Sequence, residues 1–188
     1  MIQGLKLIDQ FITLEEERTL LTAIDAASWN TSLKRRTQHY GFTYDYGTKA
    51  ATEVAEPIPP WCDSVMDRLV ERGVITERPD QMIVNEYMPG QGIYPHVDDP
   101  SSFDDGIVSL SLGSNIAMDL IECRTPSNKK EVLLRRRSVI AFHGDARYRW
   151  RHGIVARMTD HGVKRGRRVS LTFRKMKVGS KRQRVDGD

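Results

Sequence analysis

The chain has 188 residues and a formal net charge of +4, enough length for one domain with a sizeable core. It carries no apolar run long enough to span a bilayer, and its first residues, Met1-Ile-Gln-Gly-Leu-Lys-Leu7, lack the apolar stretch of a secretory signal. Cys62 and Cys123 are its two cysteines; no disulfide framework is implied, and an intracellular location, in cytoplasm or nucleus, is expected.

Thr13-Leu-Glu-Glu16 has the form of a capping box, with Thr at the N-cap and Glu three residues on. Leu20, Leu21, Ile24 and Ala27 follow at helical spacing, which predicts a helix over 14–28 that serves as scaffold. The segment Ser32-Leu-Lys-Arg-Arg-Thr-Gln-His-Tyr-Gly-Phe42 then gathers basic, amide and aromatic groups, and Gly41 suits a turn. Arg35 and Arg36 can pair with phosphates, while Gln38, His39 and Tyr40 can read or stack on a base. A surface hairpin with an ordinary charge cluster has the same composition, so the segment alone leaves both readings open. Trp61, Val65 and Leu69, with Met66 and Val70, predict a second scaffold helix over 60–72, and Gly73 suits its end.

From Gln81 the periodicity changes to that of strands. Met82-Ile-Val84 is β-prone, and Pro89-Gly90 signals a turn. His96-Val-Asp98 follows; in a strand, side chains two apart share a face, so an imidazole and a carboxylate would point the same way. Such a pair alone is a weak signal. With a second histidine it becomes the 2-His-1-carboxylate triad of non-haem Fe(II) oxygenases, which leaves coordination positions open. His143 and His152 flank Gly144-Asp-Ala-Arg-Tyr-Arg-Trp-Arg151, and spacing does not choose between them.

Ile107–Leu112 alternates, Gly113-Ser-Asn115 turns and Ile116–Ile121 alternates again, which predicts a hairpin. Glu131–Leu134 and Ser138–Phe142 are two more short strands. Charge divides sharply along the chain: residues 1–123 hold 9 Lys+Arg and 20 Asp+Glu, residues 124–188 hold 20 and 5. A basic half of this kind suits phosphate neutralisation, though a solvated surface has it too.

In the last strand, Arg168–Arg174, period two puts Arg168, Ser170, Thr172 and Arg174 on one face and Val169, Leu171 and Phe173 on the other. Arginines facing an interior would need anions, and a dicarboxylate would match two guanidinium forks. A strand with its polar face in solvent reads identically. Asn85 and Tyr87 share a face and could supplement the same anion. Short strands after two helices predict a mainly β chain with flanking helices (α+β), a jelly roll or barrel with the helices packed outside. Residues 1–178 are expected to form the domain, and 179–188 a basic, disordered tail.

Taken together, Asn85-Glu-Tyr87-Met-Pro-Gly90, His96-Val-Asp98, His152-Gly-Ile154 and Arg168-Val-Ser-Leu-Thr-Phe-Arg174 resemble, in order and rough spacing, the AlkB family of Fe(II)- and 2-oxoglutarate-dependent dioxygenases. The resemblance runs over about residues 2–177. It implies a double-stranded β-helix, an oxidoreductase that consumes O2, and iron held by His96, Asp98 and His152. It implies Arg168 on the distal carboxylate of 2-oxoglutarate, helped by Asn85 and Tyr87, and Arg174 with Ser170 near the carboxylate that chelates iron. Residues 34–41, including Arg35, Arg36, Gln38, His39 and Tyr40, fall where the family has a nucleotide-recognition lid.

Within the family, Arg35-Arg-Thr-Gln-His-Tyr-Gly41, Gly90-Gln-Gly-Ile93, Ser109-Leu-Ser-Leu-Gly113 and Arg147-Tyr-x-Trp150 look like the tRNA wobble-uridine hydroxylase branch. The resemblance implies a tRNA substrate bound by a monomer without a membrane, with any methyltransferase a separate partner. Oxidative demethylation of N-alkylated bases in DNA or RNA is the competing outcome. The repair branch often carries an acid two residues after the metal Asp, a position held here by Pro100.

Overall fold

The computed structural model describes residues 2–45, 50–54 and 56–177. In chain order its elements are β1 (Leu5–Ile8), α1 (Leu14–Ala26), β2 (Thr37–Tyr40), β3 (Phe42–Asp45), β4 (Ala50–Val54), a 3-10 turn (Pro60–Cys62) leading into α2 (Asp63–Glu71), β5 (Gln81–Tyr87), β6 (Ile93–His96), β7 (Ile107–Gly113), β8 (Ile116–Glu122), β9 (Lys129–Leu134), β10 (Val139–Phe142), α3 (Gly144–Tyr148), β11 (Trp150–Ile154), β12 (Thr159–Asp160), β13 (Val163–Lys164) and β14 (Arg168–Arg174). The tail expected over 179–188 lies outside the described residues. Among the described residues no helix is long and apolar enough to cross a membrane.

Two sheets form the jelly roll. The larger has the order β1-β10-β7-β14-β5-β2 and the smaller β6-β11-β8-β9. Alternation along β14 sets the layers. Val169, Leu171 and Phe173 join Leu20, Ile24, Val65 and Leu69 of the two long helices in one apolar core, so α1 and α2 back the outer face of the larger sheet. A second apolar cluster, including Met118, Leu120, Ile140, Phe142 and Trp150, draws on both sheets and packs between them.

The start of α1 was readable from local chemistry. Thr13 and Glu16 close the reciprocal capping box, Glu16 N donating to Thr13 Oγ1 at 3.1 Å and Thr13 N to Glu16 Oε2 at 2.7 Å, a cap worth about 1 kcal/mol. Gly41 makes the turn from β2 to β3 with φ 77°, where a Cβ would stand 1.9 Å from the Asp80 carbonyl oxygen; only glycine fits.

The hairpin expected over 107–121 does not form. β7 is paired on both sides, by β10 and β14, while β8 lies in the other sheet between β11 and β9. Gly113 (φ 81°) therefore carries the chain from one sheet to the other. The local turn signal was sound, but β7 is buried on both faces with no free edge, so long-range pairing overrides the neighbour in sequence.

Candidate metal centre and active-site cavity

β6 and β11 pair antiparallel with His96 opposite His152. This register puts the two rings 4.5 Å apart between centroids. β6 ends at His96, so Asp98 stands in the loop that follows rather than two positions along the strand as expected. Side chains from elsewhere replace the strand in placing it. Arg147 of α3 donates to the Asp98 carbonyl oxygen at 2.7 Å. Arg174 of β14 donates to Asp98 Oδ1 from Nη2 at 2.6 Å and from Nε at 3.0 Å. Ligand atoms of His96, Asp98 and His152 lie within 4.8 Å of one another, close enough to hold one metal ion. His143 stands apart, its Nε2–H donating to the Val74 carbonyl oxygen at 2.9 Å.

The protonation states suit ligation. The Tyr94 carbonyl oxygen, which can only accept, lies 2.8 Å from His96 Nδ1, so Nδ1 carries a proton and Nε2 is the nitrogen left for a metal. Burial pushes His152 down to about 4, with His96, Arg174 and Arg147 adding to it against the pull of Asp98, so the imidazole is neutral near pH 7. Its ring stacks on Phe142 at 4.8 Å. Asp98 is held well below the usual carboxylate range: burial opposes its charge, but Arg174 and the two histidines outweigh it.

These three residues open onto a cavity of about 580 Å³ between the two sheets, within the size range of small-molecule sites. Asn85, Tyr87, Arg168, Ser170 and Arg174 line it, so the polar face of β14 looks inward. Arg168 is 2 % exposed. Its Nη2 donates to Ser111 Oγ at 2.9 Å, its guanidinium lies 5.3 Å from the Tyr87 ring centroid, and its Nε meets no acceptor. Among the described residues no carboxylate pairs with it. Burial pushes it down to about 10, so it stays charged at neutral pH. A buried cation without a counter-ion costs several kcal/mol, which an anionic ligand in the cavity would offset. Two imidazoles, one carboxylate and an unneutralised guanidinium on one cavity fit a metal together with a keto diacid.

Arg174 lines the same cavity and meets the candidate metal centre through Asp98. It grips Asp98 and, through Nη1, Gln81 Oε1 at 3.1 Å, and its guanidinium lies over Phe103. The 32–41 segment divides by strand alternation. Thr37 and His39 stand opposite Asn85 and Ile83, on the cavity face of β5. Gln38 and Tyr40, expected to touch substrate, stand opposite Val84 and Met82 and enter the helix-backed core. Gln38 Nε2 donates to the Ile24 carbonyl oxygen at 2.9 Å, and Tyr40 OH donates to Gln38 Oε1 at 3.2 Å. Arg36 is drawn to Glu86, at 2.6 Å from its Nε, and lies over Trp29. Leu33, Lys34 and Arg35 are the residues of this segment that line the cavity, and Arg35 Nε donates to Asn85 Oδ1 at 3.1 Å. Arg147, Ser111 and Tyr94 were given no role from the sequence; Arg147 and Ser111 carried a signal as parts of Arg147-Tyr-x-Trp150 and Ser109-Leu-Ser-Leu-Gly113, and Tyr94 carried none.

Comparison with known proteins agrees with this geometry. The profile of the 2OG-Fe(II) oxygenase superfamily matches residues 6–174. The tRNA (carboxymethyluridine(34)-5-O)-methyltransferase alkbh8 of Xenopus tropicalis is 36% identical over 202 residues, which cover 93% of this chain but 32% of that protein, so the chain spans about a third of its length. The alpha-ketoglutarate-dependent dioxygenase alkB homolog 4 of Homo sapiens is 30% identical over 207 residues, covering 92% of this chain and 67% of that one. Among solved structures, OsALKBH1 superposes with a TM-score of 0.71 at 17% identity, over 92% of this chain and 96% of that one.

Proposed function

The chain belongs to the 2OG-Fe(II) oxygenase superfamily and, within it, to the AlkB family, and on that premise we propose that this dioxygenase oxidises a nucleobase of tRNA, hydroxylating a modified wobble uridine. The observation that carries the proposal is the join between cavity and mouth: the space bounded by His96, Asp98, His152 and Arg168 is lined at another side by Lys34 and Arg35. Cations of that kind meet the phosphates of a strand whose base enters the cavity. The name of the Xenopus relative includes uridine 34 of tRNA, which supports the choice of base; the methyl transfer in that name belongs to a protein about three times as long.

Fe(II), 2-oxoglutarate and O2 are the cofactors and co-substrates of this enzyme class, and together they supply an oxidant that hydroxylates a substrate carbon as 2-oxoglutarate becomes succinate and CO2. The chain's own residues do the rest. His96, Asp98 and His152 would hold the metal through one imidazole nitrogen each and Asp98 Oδ2, since Arg174 occupies Oδ1. Arg168 would take the distal carboxylate of 2-oxoglutarate, with Tyr87 and Asn85 beside it and Ser170 on the same wall. Ile93, Met118, Phe142 and Ile154 give the cavity an apolar side that excludes water from the reacting carbon. A base stacked in a duplex does not reach such a site, so a flipped or single-stranded base is the substrate form.

Nucleoside mass spectrometry of total tRNA, and of N-methylated oligonucleotides, after incubation with Fe(II), ascorbate and 2-oxoglutarate tests this. A gain of 16 Da on a wobble uridine derivative is expected (one oxygen, a mass set by the chemistry of hydroxylation). Formaldehyde release from N-methyl bases with no uridine product would replace the proposal by oxidative demethylation.

A further inference from the structure

A second cavity, about 450 Å³, adjoins the first and shares Lys34, Arg35 and Tyr94 with it. The proposed reaction makes no use of it. Tyr94, on the shared wall, is 92 % exposed; folding buries almost none of that ring. Lys34 is exposed and has no acidic partner among the described residues. The opposite wall includes Asp119, 6 % exposed and already neutralised by Lys129 Nζ at 2.8 Å. Val155, exposed, continues the apolar rim from Tyr94.

We propose that this second cavity receives the nucleotide next to the target base in a single-stranded substrate, a reading that rests on the nucleic-acid function proposed above. The base stacks on Tyr94, the linking phosphate lies at Lys34 and Arg35, and the base edge turns an N–H toward Asp119. Each part has its physical reason. A shared wall means that a strand filling one cavity passes the other. Every base has a π-face, so an exposed aromatic ring grips a neighbour whatever its identity. A carboxylate accepts only, and because Lys129 offsets its charge, Asp119 can face a base edge without repelling the backbone. The paired cations and the exposed ring together fit a nucleotide; an apolar peptide would leave Lys34 without a counter-charge.

The test is anisotropy of labelled single-stranded RNA heptamers with a central uridine, bound to the full chain loaded with Mn(II) and 2-oxoglutarate. Three heptamers are compared: intact, abasic immediately 5′ of the uridine, and abasic immediately 3′ of it. With the wild-type chain, one abasic neighbour weakens binding about tenfold, the size expected of one lost stack. In Tyr94→Ala the same abasic heptamer and the intact one bind alike, and Tyr94→Phe restores the tenfold difference. Equal binding of all three heptamers by the wild type, or an abasic penalty that persists in Tyr94→Ala, overturns the flanking subsite while leaving the nucleic-acid reading in place. If no heptamer binds and tRNA nucleosides are also unchanged by the Fe(II)-loaded enzyme, both readings fall.

Discussion

Arg174 holds one oxygen of Asp98 and leaves the other toward His152: Nη2 and Nε donate to Oδ1 at 2.6 and 3.0 Å, while Oδ2 lies 3.4 Å from His152 Nε2. One carboxylate thus has a fixed oxygen and an available one. Groups that orient a metal ligand typically affect affinity by about 10–100-fold. Arg174→Met is therefore expected to weaken metal binding by about that factor, measured by anaerobic Co(II) titration. Arg174→Lys should recover only part of it, because a point charge does not reproduce the two-pronged grip. Unchanged Co(II) affinity in Arg174→Met would remove Arg174 from the positioning of Asp98.

Arg168 lies in the opposite energetic situation, a guanidinium buried without a carboxylate among the described residues. Replacing an unneutralised buried charge by an apolar side chain of similar length is often neutral or stabilising. Arg168→Met should therefore keep or raise the melting temperature of the ligand-free chain. It should also weaken 2-oxoglutarate by about 100-fold or more, because an anion would lose its charged partner. Thermal shift with and without 2-oxoglutarate reads both effects. A strongly destabilised ligand-free Arg168→Met would mean that the arginine is held for the fold.

Features written in short range were legible in the sequence. The capping box and the period-two pattern of β14 each depend on residues a few positions apart, and each has its counterpart in the structure; His96 and Asp98 also meet, but through a loop held by Arg147 and Arg174 rather than by strand alternation. Residues 35–40 were read as one cluster, with no division between the two faces of a strand. Pairing with β5 makes the division: Val84 and Met82 belong to the helix-backed core and take Gln38 and Tyr40 with them. The separation of β7 from β8 was hidden for the same reason, since a two-residue link looks alike whether it closes a hairpin or crosses between sheets. The role of Arg147 was hidden because its partners are backbone carbonyls of residues 98, 99 and 103, which leave no trace in side-chain pattern.

Asp160 clamps the chain that follows His152. It accepts from Arg165 Nε at 2.7 Å, Arg157 Nε at 2.6 Å and the Ala117 amide of β8 at 3.0 Å. Burial opposes its charge, but these donors bring it from an ordinary 3.8 down to about 2. A lowered carboxylate adds stability that is complete above its unfolded value and is lost as pH falls through the folded one. The window here runs from about pH 4 to pH 2, and the loss across it is about 2 kcal/mol. Asp160→Asn should lose about 3–5 kcal/mol at pH 7 by leaving Arg165 buried and unpaired. It should also unfold with a shallower pH dependence between pH 4 and 2, which urea titration at several pH values measures. An unchanged acid limb in Asp160→Asn would show that other carboxylates set it.

Residues three apart in the 32–41 segment should fail in different ways. Gln38 caps the end of α1 from inside the core, at 2.9 Å from the Ile24 carbonyl oxygen, whereas Arg35 lines both cavities. Gln38→Ala removes a buried partner and should lower stability by about 1–3 kcal/mol, with kcat/KM at low temperature close to wild type. Arg35→Glu should keep the melting temperature within a few degrees while reducing kcat/KM for a nucleic-acid substrate about tenfold or more. Its salt dependence should also flatten, because one phosphate contact is lost and another is repelled. Steady-state kinetics at two salt concentrations beside a thermal melt separates the two. If Gln38→Ala lost turnover at wild-type stability, the assignment of β2's two faces would have to be reversed.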